Sequence, residues 1–132
     1  MDWTFITKHA QTYLSAAGLT LRLAALGILL SILLGLACSL ILYYRLPMLR
    51  QLVFGYIELS RNTPLLVQLF FLYFGLPKLG IVLSAESCAI IGLTFLGGSY
   101  MAEAFRSGLS SVESGQIEAG QSIGLNRGQI IR

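Results

Sequence analysis

LAALGILLSILLGLACSLILYY, residues 23–44, runs for 22 positions without a charge. An α-helix rises about 1.5 Å per residue, so roughly 20 apolar residues cross the roughly 30 Å of hydrocarbon in a bilayer. This run is long enough for a full crossing, and Arg22 at its edge can reach the headgroups along its own aliphatic stem. The rest of the chain agrees. Of 132 residues, 55% are hydrophobic and 11% charged, which leaves too little polar surface to cover a globule in water. The chain reads as an all-α membrane protein.

Working outward, the N-terminal side mixes Trp3, Ile6, Ala10, Tyr13 and Leu14 at helical spacing with Lys8, His9 and Gln11. That pattern suits a segment over 1–14 lying in the membrane interface with aromatic anchors. Residues 15–107 form a membrane domain with three spans, at about 19–44, 52–76 and 86–106. In the first span Gly27, Ser31, Gly35 and Ser39 recur every fourth residue. The stripe is either a surface for close approach of a neighbouring helix or the ordinary abundance of small residues in membrane helices. Gly75, Pro77, Lys78 and Gly80 make the second connection, and Ser84 with Glu86 reads as a helix start.

The second span is polar where an ordinary crossing is apolar, at Glu58, Ser60, Arg61, Asn62, Thr63 and Pro64. An unbroken helix would gather Glu58, Arg61 and Gln68 on one face, and Pro64 would kink it beside that face. Gly92, Ser99 and Glu103 share a face of span three by the same spacing. An ionisable group at membrane depth is costly unless paired or facing a cavity. Glu58, Arg61, Asn62, Gln68, Ser99 and Glu103 are therefore candidates to line a substrate path, with Arg61 for a carboxylate and an acidic residue for an ammonium. Equally, Glu58 and Arg61 make a structural pair near the interface.

Residues 108–132 form a further helical segment. Ser110 with Glu113 and Asn126 with Gln129 are capping-box patterns, and Gly124 is placed to stop a helix. Arg45, Arg50, Arg106, Arg127 and Arg132 fall on one side of the membrane, against Lys8, Arg22 and Lys78 on the other. The positive-inside rule then puts the N-terminus outside and the 108–132 segment in the cytoplasm. The chain stops at Arg132 within an apolar helix start, so it is expected to be a fragment or a truncated reading frame.

Several function classes fall away. The net charge of +3 is small and dispersed, which implies no nucleic-acid partner. Cys38 and Cys88 sit in apolar runs without metal-ligand spacing and read as small buried hydrophobes. No metal site, catalytic nucleophile or cofactor motif occurs, and no Gly-x-x-x-x-Gly-Lys-Ser/Thr loop is present to hold ATP. Enzyme activity is not expected.

Two stretches carry a resemblance. ELSRNTPLLVQLFFLYFGLP, residues 58–77, resembles the corresponding segment of bacterial ATP-binding-cassette (ABC) importer permeases of the polar amino acid subfamily, with Asn62 where Gly is usual. YMAEAFRSGLSSVESGQIEAGQSIGL, residues 100–125, is similar to the approach to that family's cytoplasmic EAA loop and its first half. There Glu118, Ala119 and Gly124 match the pattern, and Gly120 stands in place of the second Ala. The resemblance covers essentially the whole chain but only about three of the family's five spans, ending inside the EAA loop with two helices missing.

The resemblance implies a type I importer fold in which Gln116, Ile117, Glu118, Ala119, Gly120 and Gly124 form a coupling helix that docks on a separate ATPase subunit. The alternative for that segment is an amphipathic helix packed on its own membrane domain. The resemblance further implies a second permease subunit, identical or related, an extracytoplasmic solute-binding protein, a polar amino acid substrate and a bacterial inner membrane with its lipid. Two readings of other classes stand beside it. One is a small self-assembling pore or holin-like protein, and the other a truncated remnant that binds partners without transport.

Overall fold

The computed structural model describes residues 9–44, 46–111 and 114–130. Helix α1 (Ala10–Tyr43) is followed by α2 (Pro47–Asn62) and the short α3 (Leu65–Phe70), which runs on through a π turn (Phe71–Gly75) and a 3-10 turn (Leu76–Leu79). Then come α4 (Ala85–Ser110), α5 (Ser114–Ser122) and α6 (Arg127–Ile130). Among the described residues every regular element is helical. Helices α1 and α4 are long and apolar enough to cross a membrane.

Local chemistry sets most of the boundaries. Pro47 opens α2 at a position where its fixed φ suits the first turn and its missing N–H is not needed. The helix stops at Asn62 because Pro64 disfavours helical backbone in the residue before it, and Thr63 is extended at ψ 120°. Ser84 caps α4, its Oγ accepting from the Ser87 amide at 3.1 Å, and Glu86 lies in the first turn. The sequence placed that start correctly.

Two boundaries differ from the sequence reading. Helix α1 begins at Ala10 and continues without a break through the stretch expected to separate an interfacial segment from a span. Its 34 residues extend about 50 Å. The aromatic anchor Trp3 lies outside the described residues. The apolar run over 52–76 is divided at Thr63 and Pro64 into α2 and α3. Proline there breaks the helix outright rather than kinking it.

The small-residue stripe of α1 carries the main packing. Gly27, Ser31, Gly35 and Ser39 are all buried. A Cβ on Gly27 would meet Leu93 at 3.2 Å, and one on Gly97 would strike the Ser31 hydroxyl, so α1 and α4 touch almost backbone to backbone. Ser31 Oγ also donates to the Leu93 carbonyl at 3.3 Å. A cluster of Cys38, Leu42, Val53, Ile57 and Ala102 seals α1, α2 and α4 together, while Leu29, Leu33 and other large side chains of α1 face outward. Small or polar groups inside and bulky apolar groups outside is the arrangement a helix bundle takes in lipid.

Helix α2 is tied to α4 at one carbonyl. Tyr56 Oη and Ser60 Oγ both donate to the oxygen of Phe95, at 2.7 and 2.9 Å. The Tyr56 and Phe95 rings meet edge to face, with centroids 4.9 Å apart. These contacts fix the last turns of α2 against the middle of α4.

Candidate functional site

The end of α2 and the facing turn of α4 enclose a polar cleft of about 410 Å³ lined by Glu58, Arg61, Asn62, Tyr100 and Glu103, with Phe54 and Ile57 at its apolar edge. Arg61 Nη1 donates to Glu103 Oε2 across the two helices. Its guanidinium carbon lies 5.3 Å from the Tyr100 ring centroid, within cation–π range. Arg106 Nη2 approaches the other Glu103 oxygen at 3.8 Å from the next turn of α4. Glu103 is thus flanked by two guanidiniums.

The Arg61 and Glu103 side chains are 40% and 37% exposed. Where water fills the cleft, a pair so open is worth below about 1 kcal/mol to stability, so a competing charged group can part it at little cost. The cleft therefore offers a cation, a carboxylate and an aromatic face within one small volume. That set suits a molecule with both an anionic and a cationic group.

Four of the six residues the sequence proposed for a path meet in this cleft: Glu58, Arg61, Asn62 and Glu103. Two do not. Ser99 is fully buried within the bundle and its Oγ returns to the Leu96 carbonyl of its own helix at 2.7 Å. Gln68 turns inward behind the break instead of sharing a face with Glu58 and Arg61, because the helix that would have aligned them ends at Asn62. The structural pairing of Glu58 with Arg61 is also corrected, since the ion pair of Arg61 is with Glu103 on α4. Tyr100 and Arg106 were missed as site residues. Their spacing of three from Glu103 is the one signal that could have found them.

On the 108–132 segment, Gly124 ends α5 in the left-handed region at φ 87°. Leu125 N donates to Gly120 O and Gly124 N to Gln121 O, both at 3.0 Å, the crossed pair of bonds of a Schellman motif. Asn126 and Gln129 exchange backbone-to-side-chain bonds at 2.9 Å each way, so the second expected capping box is formed. Glu118 and Ala119 are exposed, as is Ile123 at 78%. Glu113 and the side chains of Gln116 and Ile117 lie outside the described residues.

Comparison with known proteins adds an independent line. The sequence profile described as "Binding-protein-dependent transport system inner membrane component" matches residues 11–132. The chain is 40% identical over 135 aligned positions to the "Probable amino-acid permease protein YxeN" of Bacillus subtilis, covering 100% of this chain and 60% of that protein. It is 38% identical over 131 positions to the "Probable glutamine ABC transporter permease protein GlnP" of the same organism, covering 96% and 60%. A crystal structure of an amino acid ABC transporter with histidines superposes at a TM-score of 0.88 with 31% identity, over 100% of this chain and 62% of that one. The chain spans about 60% of the length of the curated relatives it matches.

Proposed function

Because the chain belongs to the family of binding-protein-dependent transport system inner membrane components, we propose that it acts as the permease subunit of an ATP-driven ABC importer for a polar amino acid. The observation that carries this reading is the cleft between α2 and α4, where Arg61 and Glu103 stand together over Tyr100. A zwitterion entering there meets the guanidinium with its carboxylate and Glu103 with its ammonium. It replaces one modest ion pair with two charge-assisted contacts. Glu58 and Asn62 add polar wall, and Arg106 holds the second oxygen of Glu103.

The energy source lies in a partner. A separate ATPase subunit closes on ATP, and the 108–132 segment takes up that movement, with Glu118, Ala119, Gly120 and Gly124 among the docking residues beside Gln116 and Ile117. The exposed apolar surface of Ile123 and the firm Schellman stop support such a docking element. A second permease subunit, identical or related, completes the translocation path, and an extracytoplasmic solute-binding protein delivers the amino acid. The subunit sits in a bacterial inner membrane with its N-terminus outside and this segment in the cytoplasm. The spans then alternate access to this cleft.

The test is uptake of labelled glutamine, arginine and histidine by the full-length protein co-expressed with its ATPase and binding protein, in a strain without its own polar amino acid uptake. Arg61→Ala and Glu103→Gln are expected to cut uptake at least tenfold at low substrate concentration. Uptake unaltered in both would overturn the assignment of the cleft.

A further inference from the structure

We propose that Gln68 is a positioning residue that sets Arg61 in the cleft by completing the broken end of α2. The inference rests on reading that cleft as the substrate path. A helix end leaves its last carbonyls without partners, and within lipid no water supplies them. The carbonyl of Ser60 would ordinarily accept from the amide four residues on, but that residue is Pro64, which has no N–H. Gln68 supplies the missing donor. Its Nε2 lies 3.1 Å from the Ser60 oxygen and 2.9 Å from the Thr63 oxygen, using both amide protons on the two sides of the last turn.

The clamp is deep. Gln68 is only 9% exposed, and Ser60 is fully buried. Ser60 Oγ is bound in turn to the Phe95 carbonyl on α4 at 2.9 Å. Arg61 is the next residue, so the turn that carries it is held from behind by α3 through Gln68 and by α4 through Ser60. Gln68 itself is absent from the lining of the polar cleft and faces a separate apolar hollow with Thr63, Gly92 and Phe95. It therefore acts through the backbone of α2 and not by contact with substrate.

The experiment uses the assembled full-length transporter and reads KM and maximal uptake rate separately for one amino acid. Gln68→Met keeps the length of the side chain and removes both donors. It is expected to raise KM about tenfold while the maximal rate and the amount of assembled complex stay within twofold. Because it acts through Arg61, the Q68M/R61A double variant is expected to be no worse than R61A. A rise in R61A but none in Q68M overturns the positioning role and leaves the cleft assignment standing. Fold-changes that multiply in the double variant also overturn it. Uptake unaltered in R61A overturns both. If Q68M fails to assemble, Gln68→Glu decides, because it keeps the shape and puts an oxygen where the donating nitrogen stood: a rise of about tenfold, absent on an R61A background, supports the clamp, and an unchanged KM refutes it.

Discussion

Gly35 of α1 faces the backbone of Ala102 on α4 so closely that a Cβ on it would stand 2.8 Å from the Ala102 nitrogen and 2.4 Å from the Met101 Cβ. Backbone cannot yield as a side-chain tip can, so Gly35→Ala must prise the helices apart. Overpacking costs about 1–3 kcal/mol, more than the roughly 1 kcal/mol that alanine gains over glycine in a helix. Gly18 has nothing within 4 Å of the same position. Unfolding in mixed detergent should show G35A destabilised by about 1 kcal/mol and G18A stabilised by up to about 1 kcal/mol.

The ion pair of Arg61 and Glu103 should separate function from stability. With the cleft open to water, partial exposure limits its structural worth to below about 1 kcal/mol. Arg61→Ala and Glu103→Gln are each expected to shift the unfolding midpoint by only a few degrees while reducing uptake tenfold or more. Thermal unfolding and uptake of the same preparations decide this, and a large loss of stability with normal residual transport would contradict it.

Gly124→Ala places a side chain on a backbone at φ 87°. The left-handed conformation costs a non-glycine residue about 1–2 kcal/mol, and the two closing bonds from Leu125 and Gly124 loosen with it. Amide exchange at Leu125 should quicken about fivefold or more, with the amides of α4 unaffected.

At the other end of the bundle, Arg22 and Glu86 lie 3.6 Å apart but are 67% and 47% exposed. Their contribution is expected to be small. Glu86→Gln should change stability by less than about 0.5 kcal/mol, and raising the salt concentration should not alter the comparison.

What the sequence revealed and what it concealed follow from how far each signal reaches. The uncharged run at 23–44, the Ser84 cap, the Gly124 stop and the Asn126 and Gln129 box are local, and each is formed. The stripe from Gly27 to Ser39 was legible as a small face, but only the fold shows that Leu93, Gly97 and Met101 press on it. The partner of Arg61 lies 42 residues away, and no periodicity within α2 points to it. Gln68 was assigned to the wrong face because a periodic reading assumes one helix where Pro64 makes two. The π turn at Phe71–Gly75 had no sequence signal; a Cβ on Gly75 would stand 2.9 Å from the exposed Phe71 ring, which would have to swing aside.

The length of α1 has a mechanical consequence. Residues 10–21 are exposed throughout, and close packing against α4 begins only at Gly27. At about 1.5 Å per residue these twelve positions make a rigid arm of roughly 18 Å, packed into the bundle at its far end. If the bundle tilts by about 10°, the tip of such an arm sweeps through about 3 Å. A spin label or fluorophore at Gln11 would therefore act as a pointer, magnifying rotations of the packed helices that are nearly invisible at the pivot.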